Sequence, residues 1–211
     1  MSFELWLTFA AASTALLVIP GPTLMMVLSY AMTQGRRVAV ASALGVAVGD
    51  LIAMTLSVIG LGALFLASAM AFNILKWVGA VYLIYLGIKM LRSATSASTQ
   101  SALMDKPAGQ TPTRVFRDLA TVTALNPKSN TFFVAFVPQF IQADAAFAPQ
   151  AGILIATFVT IAGINALVFA LAANAMRARI TRPNFQMWLT RAGGATLIGM
   201  GLLTATLRRS T

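Results

Sequence analysis

Two ionisable side chains lie deep in apolar stretches of this chain. Asp50 stands in GVAVGDLIAM and Lys128 in ALNPKSNTFF. A carboxylate at the centre of a membrane helix costs about 2.5–3.5 kcal/mol, so such a residue usually faces the protein interior and has a task. Two breaks accompany these charges. LLVIPGPTLMMV carries Pro20, Gly21 and Pro22, and the second break is Asn126-Pro127-Lys128. Proline has no N–H and clashes with the preceding turn, so the carbonyls of Leu16 and Val18 lose their usual partners. After Pro22 and after Pro127 a new half-helix begins, with free N–H groups and a positive dipole end. Those ends suit a carboxylate, with Thr23, Lys128, Ser129 and Asn130 nearby. The released carbonyls of Leu16, Val18 and Thr123, together with Asp50, suit an ammonium. Asn126, Asn165 and Asn174 add neutral polar groups, each of which would also serve as interhelical glue. A small zwitterion such as an α-amino acid fits this set better than a sugar or a lipid. Two plainer readings stay open: proline kinks repaired by neighbouring helices, and a structural Asp50–Lys128 ion pair.

These residues need a scaffold, and composition names its class. Of 211 residues, 58% are hydrophobic and 9% charged, whereas a soluble domain carries roughly a quarter charged residues. Several apolar runs reach the roughly 20 residues that cross a bilayer. They lack the alternation of a membrane β-strand. The expected class is an all-α integral membrane protein. Cysteine and histidine are both absent, which removes disulfides, thiol relays, Cys nucleophiles and imidazole catalysis. No metal site and no cofactor are expected, and no G-x-x-x-x-G-K-[ST] motif is present to bind a nucleotide. A membrane-embedded acyl or prenyl transferase would want histidines or paired acids, and the chain has five acidic residues.

Six spans are predicted: Leu5–Thr33, Val38–Leu64, Ile74–Leu91, Val115–Phe140, Ala151–Met176 and Met187–Leu207. No Lys or Arg precedes Arg36, so the first span reads as retained rather than as a signal peptide. The net charge of +10 comes from clusters between the spans, which points to membrane topology rather than nucleic acid. Arg36 and Arg37 follow span one. Lys89, Arg92, Lys106, Arg114 and Arg117 surround the central loop, and Arg177, Arg179 and Arg182 follow span five. The positive-inside rule places the central loop in the cytoplasm and both termini outside, although Arg208 and Arg209 oppose this. Trp6, Trp77 and Trp188 near span ends read as interfacial anchors.

Residues 93–113 are polar and without apolar periodicity, as a flexible loop would be. They divide the chain into units 1–92 and 114–211 of three spans each. The first span of each unit is interrupted near its middle. VGAVYLIYLGIKMLR in span three resembles AGGATLIGMGLLTATLR in span six, with Gly79 and Gly87 matched by Gly193 and Gly201. An odd number of spans per unit turns the second copy upside down, the inverted repeat of many secondary transporters. Paired interruptions then mark the substrate site. Asp50 is also the expected proton-coupling group, because protonation of a buried carboxyl depends on how near a cation sits. In span two, Ala41, Gly45, Gly49 and Ala53 form a small-residue packing face. Tyr82, Tyr85 and Lys89 share a face of span three that either packs or lines a pathway.

PGP at 20–22, GAVYLIYLGIKMLRS at 79–93 and NPKSNTFFVAFVPQF at 126–140 together resemble the LysE-type amino-acid exporters, in their homoserine/threonine-resistance (RhtB-like) branch. The resemblance extends over essentially the whole chain. It implies export of amino acids or close derivatives across the bacterial inner membrane, in exchange for protons. Many relatives carry Asn after Pro-Gly-Pro where this chain has Thr23, which bears on selectivity. The expected partners are a small amino-acid substrate, protons and the lipid bilayer, with a homo-oligomer left open. The competing expectation is a passive channel or a non-transporting assembly subunit.

Overall fold

The computed structural model describes residues 1–19, 21–34, 38–67, 69–93, 109–142, 145–180 and 183–206. Pro20, residues 94–108 of the central loop, and Arg208 and Arg209 lie outside them, as does the side chain of Asn174. Among the described residues the regular structure is helical. It comprises α1 (Phe3–Val18), α2 (Pro22–Gln34), α3 (Ala39–Ala67), α4 (Ala69–Ser93), α5 (Pro112–Ala124), α6 (Pro127–Ala135), a 3-10 turn (Val137–Phe140), α7 (Phe147–Ile180) and α8 (Pro183–Thr206). Two helices hold stretches long and apolar enough to cross a membrane, Ala39–Gly60 and Phe147–Ala173. The pair α1 and α2 qualifies as a third if counted as one bent span.

Both expected interruptions are present, and local chemistry explains them. Ile19 precedes a proline, which disfavours helical backbone, and it adopts φ −68°, ψ 123°. The helix axis turns by 57° between α1 and α2. Pro22 then opens α2 at the first helical position, where its missing N–H costs nothing. The second break repeats the logic. Asn126, again ahead of a proline, is extended at φ −70°, ψ 113°, and its side chain accepts from the Lys128 N–H to cap α6. Leu125 and Asn126 donate back to the carbonyls of Thr121 and Thr123, which closes α5 before the break.

Small residues set the packing. A Cβ on Gly45 would lie 2.6 Å from the Phe116 carbonyl oxygen, and one on Gly49 would lie 2.6 Å from that of Ala120. Helix α3 therefore meets α5 at backbone contact, through the face that the sequence marks with Ala41, Gly45, Gly49 and Ala53. The order of contacts shows that the two helices run in the same direction. Helices α4 and α8 run oppositely and as tightly. Gly87 faces Gly194 and Ile198, and Gly201 faces Ala80 and Ile84. Helix α3 also packs on α7, and α7 covers α1 and α2. Tyr82 and Tyr85 lie on the exposed side of α4 with ring centroids 5.9 Å apart. Trp77 and Trp188 are exposed, as interfacial anchors would be. Trp6 donates instead to Thr157 Oγ1 at 2.9 Å, tying α1 to α7.

Candidate functional site

The two breaks open onto one cavity. Its lining includes Gly21 and Thr23 from the first break, Asn126, Lys128 and Ser129 from the second, Asp50 from α3 and Asn165 from α7. The sequence reading named all seven. Pro22 and Pro127 shape the breaks from outside the lining, and both are exposed. Asn130 turns away as well, donating from Nδ2 to the Ala124 carbonyl at 3.1 Å. Sequence reasoning missed the apolar wall of Leu17, Ile19, Leu24, Val27, Val46, Ala162 and Ala166, and the side chain of Thr123. These residues look like any others on apolar helices, and only the fold selects them.

Side chains bind the breaks to one another. Thr23 Oγ1 accepts from Asn126 Nδ2 at 3.1 Å and from Thr123 Oγ1 at 3.3 Å. In the other direction, Lys128 Nζ donates to the carbonyls of Leu16 at 3.0 Å and Ile19 at 2.9 Å. Thr23 and Lys128 each follow the proline that opens a half-helix, so the exchange is reciprocal. Asn165 Nδ2 takes the Leu17 carbonyl at 3.2 Å. Three carbonyls at the first break, those of Leu16, Leu17 and Ile19, are thus met by side chains of the second half, as the apolar surroundings demand.

This arrangement revises two expectations. The Leu16 carbonyl, offered to a ligand's ammonium by the sequence reading, is held by the protein's own lysine. The Asp50–Lys128 ion pair does not form, because Lys128 turns to those carbonyls. Asp50 is only 1% exposed, and its Oδ1 has no hydrogen-bond partner among the described residues. A buried polar atom without a partner is costly.

The cavity has a free volume of about 30 Å³, room for a water or two but not for an amino acid. Outside the lining, Phe9, Phe132, Phe136 and Phe140 form a buried aromatic cluster between α1, α6 and the 3-10 turn, with Phe132 and Phe136 centroids 4.9 Å apart and Phe9 and Phe140 5.2 Å apart. Between α2 and α5, buried Tyr30 donates to Asp118 Oδ2 at 2.5 Å.

The family model described as "LysE type translocator" matches residues 14–208. A "Homoserine/homoserine lactone efflux protein" of Salmonella typhimurium is 34% identical over 210 residues, the full length of both chains. An "Uncharacterized membrane protein" of Vibrio cholerae is 30% identical, covering 99% of this chain and all of its own. A "Leucine efflux protein" of Klebsiella pneumoniae is 31% identical over 141 residues, 66% of this chain and 65% of its own. No solved structure matches. A full-length match of this kind, on a helical chain with membrane-spanning stretches and a polar cavity between two broken helices, makes this protein a member of the LysE family of membrane translocators.

Proposed function

We propose that the chain is a secondary transporter that exports amino acids or close derivatives, threonine- or homoserine-like or otherwise neutral, across the bacterial inner membrane by proton antiport. The observation that carries this is the convergence of both breaks on a cavity holding one carboxylate and one ammonium. A zwitterion needs both signs within a few ångströms, and an apolar wall suits an uncharged side chain. The efflux proteins among the relatives support the direction of transport.

In this reading Pro20, Gly21, Pro22, Thr23, Asp50, Asn126, Pro127, Lys128, Ser129, Asn130 and Asn165 build or shape the substrate site, and Asp50 carries the coupled proton. The central loop is cytoplasmic and both termini are periplasmic. Units 1–92 and 114–211 are inverted repeats of three spans, joined by 93–113. The α4–α8 contacts support the repeat. One constant offset in residue number carries Gly87, Ala80 and Ile84 onto Gly201, Gly194 and Ile198, and it exchanges the two sets of contacts. A two-fold relation between spans of opposite direction does this. The aromatic cluster then closes the outer side and the Tyr30–Asp118 pair the inner side. Alternating access follows from rocking one unit against the other.

The test is reconstitution of the chain alone in liposomes, with a panel of labelled amino acids and an imposed pH gradient. Uphill movement driven by the gradient is expected. Flux indifferent to the gradient would identify a passive channel, and no flux a non-transporting subunit.

A further inference from the structure

The first break contains a site for an ammonium ion, and its occupant is part of the protein. Two carbonyls from the last turn of α1 and the residue beyond it, Leu16 and Ile19, converge on Lys128 Nζ at 3.0 and 2.9 Å. The lysine stem reaches them across Gly21, where a Cβ would lie 3.4 Å from Nζ and 3.5 Å from Cε. An ammonium has three donors and no acceptor, and the carbonyls use two of them. Asp50 lines the same cavity with a buried oxygen that lacks a partner. Two carbonyls that converge on one point beside a small apolar-walled cavity form a receptor for a primary ammonium. Lysine meets that need from a neighbouring half-helix, by a tether long enough to withdraw.

We propose that the Leu16 and Ile19 carbonyls form a primary-ammonium site, which Lys128 fills as a tethered stand-in and which the ammonium of the transported molecule takes over during the cycle. The proposal rests on the exporter reading. It deepens that reading by naming the charge of the cargo that is bound first and the group that replaces it on return. Bare carbonyls at membrane depth are strongly unfavourable, because lipid offers them no donor. With either Lys128 or cargo in place, the broken helix never exposes them. The site selects molecules with a free primary amine, and N-acylated or quaternary amines are rejected.

The test uses the purified full chain in detergent and the probe methylammonium. Lys128→Ala removes the stand-in and opens the site. Its thermal midpoint is expected to rise by roughly 5–10 °C at a hundredfold excess over the dissociation constant. Tetramethylammonium at equal concentration has no N–H to donate and is expected to give no such rise. Lys128→Met fills the same volume without charge and is expected to respond to neither. A Lys128→Ala protein that responds equally to both ions, or to neither, overturns the proposal. So does one that stays unfolded with methylammonium present, since the lysine would then be irreplaceable. These readouts do not involve flux, so their failure leaves the exporter reading to be judged by wild-type transport.

Discussion

Gly49 adjoins Asp50 and is where α3 presses against the lead-in to the second break. An added Cβ would stand 2.6 Å from the Ala120 carbonyl oxygen, 2.6 Å from Thr123 Cβ and 3.1 Å from the Ala124 nitrogen. All three atoms belong to the end of α5, so no flexible side chain can yield. Gly49→Ala must therefore push α5 away, by several tenths of an ångström. Overpacking of this kind costs about 1–3 kcal/mol, partly offset by the helix propensity of alanine, worth up to about 1 kcal/mol. The net loss of about 1–2 kcal/mol lowers the midpoint by roughly 2–8 °C for a chain of this size. The shift also carries Asn126 away from Thr23, now 3.1 Å apart, so transport is expected to fall at least about tenfold, by the steep penalty for misplaced groups. Gly60→Ala is the control on the same helix, because a Cβ there meets nothing within 4 Å. It is expected to be neutral or slightly stabilising, with normal transport. Thermal unfolding and liposome efflux measure both variants side by side. If Gly49→Ala matches Gly60→Ala in both assays, α3 and α5 do not meet at backbone contact and the account of the site's support fails.

Asp50→Asn keeps the shape of the side chain and removes its charge. It is expected to abolish gradient-driven uptake in liposomes while leaving the protein folded and inserted, and normal transport by this variant would refute the role given to Asp50. Thr23→Val preserves volume but deprives Asn126 and Thr123 of their shared acceptor. One unmet buried donor costs about 1–3 kcal/mol, readable as a lower midpoint, with altered preference across an amino-acid panel. Tyr30→Phe removes the hydrogen bond to Asp118 between α2 and α5. Bonds to a charged acceptor are worth about 1.5–3 kcal/mol, so labelling of a single cysteine introduced at Val27, which lines the cavity from α2, should increase, and unchanged labelling would show that this pair does not restrict access there. Asn165→Leu leaves the Leu17 carbonyl without its donor and is expected to destabilise by about 1–3 kcal/mol, checked by the same thermal assay.

Much of this protein can be read from its sequence, because the physics involved is local. A proline dictates the backbone of the residue before it and removes one donor, so Pro22 and Pro127 mark the starts of α2 and α6 wherever those helices pack. Asn126 caps α6 two residues along the chain, again a local matter. The four-residue spacing of Gly45, Gly49 and Ala53 shows a close-packing face, since a helix places such residues in one row. Composition alone gives the helical membrane class. What the sequence does not contain is which polar group meets which. Lys128 is separated by more than a hundred residues from the carbonyls it holds, and its choice of those carbonyls over Asp50 depends on the 57° turn after α1 and on how α6 lies beside it. The apolar wall and the aromatic cluster arise from residue types common throughout the chain, and nothing local in the sequence pairs Tyr30 with Asp118. The sequence by itself determined where the backbone must break and which charges are buried. Only the tertiary structure decided how those freed groups are shared, because hydrogen-bond partners in an apolar interior are set by the distances that packing imposes.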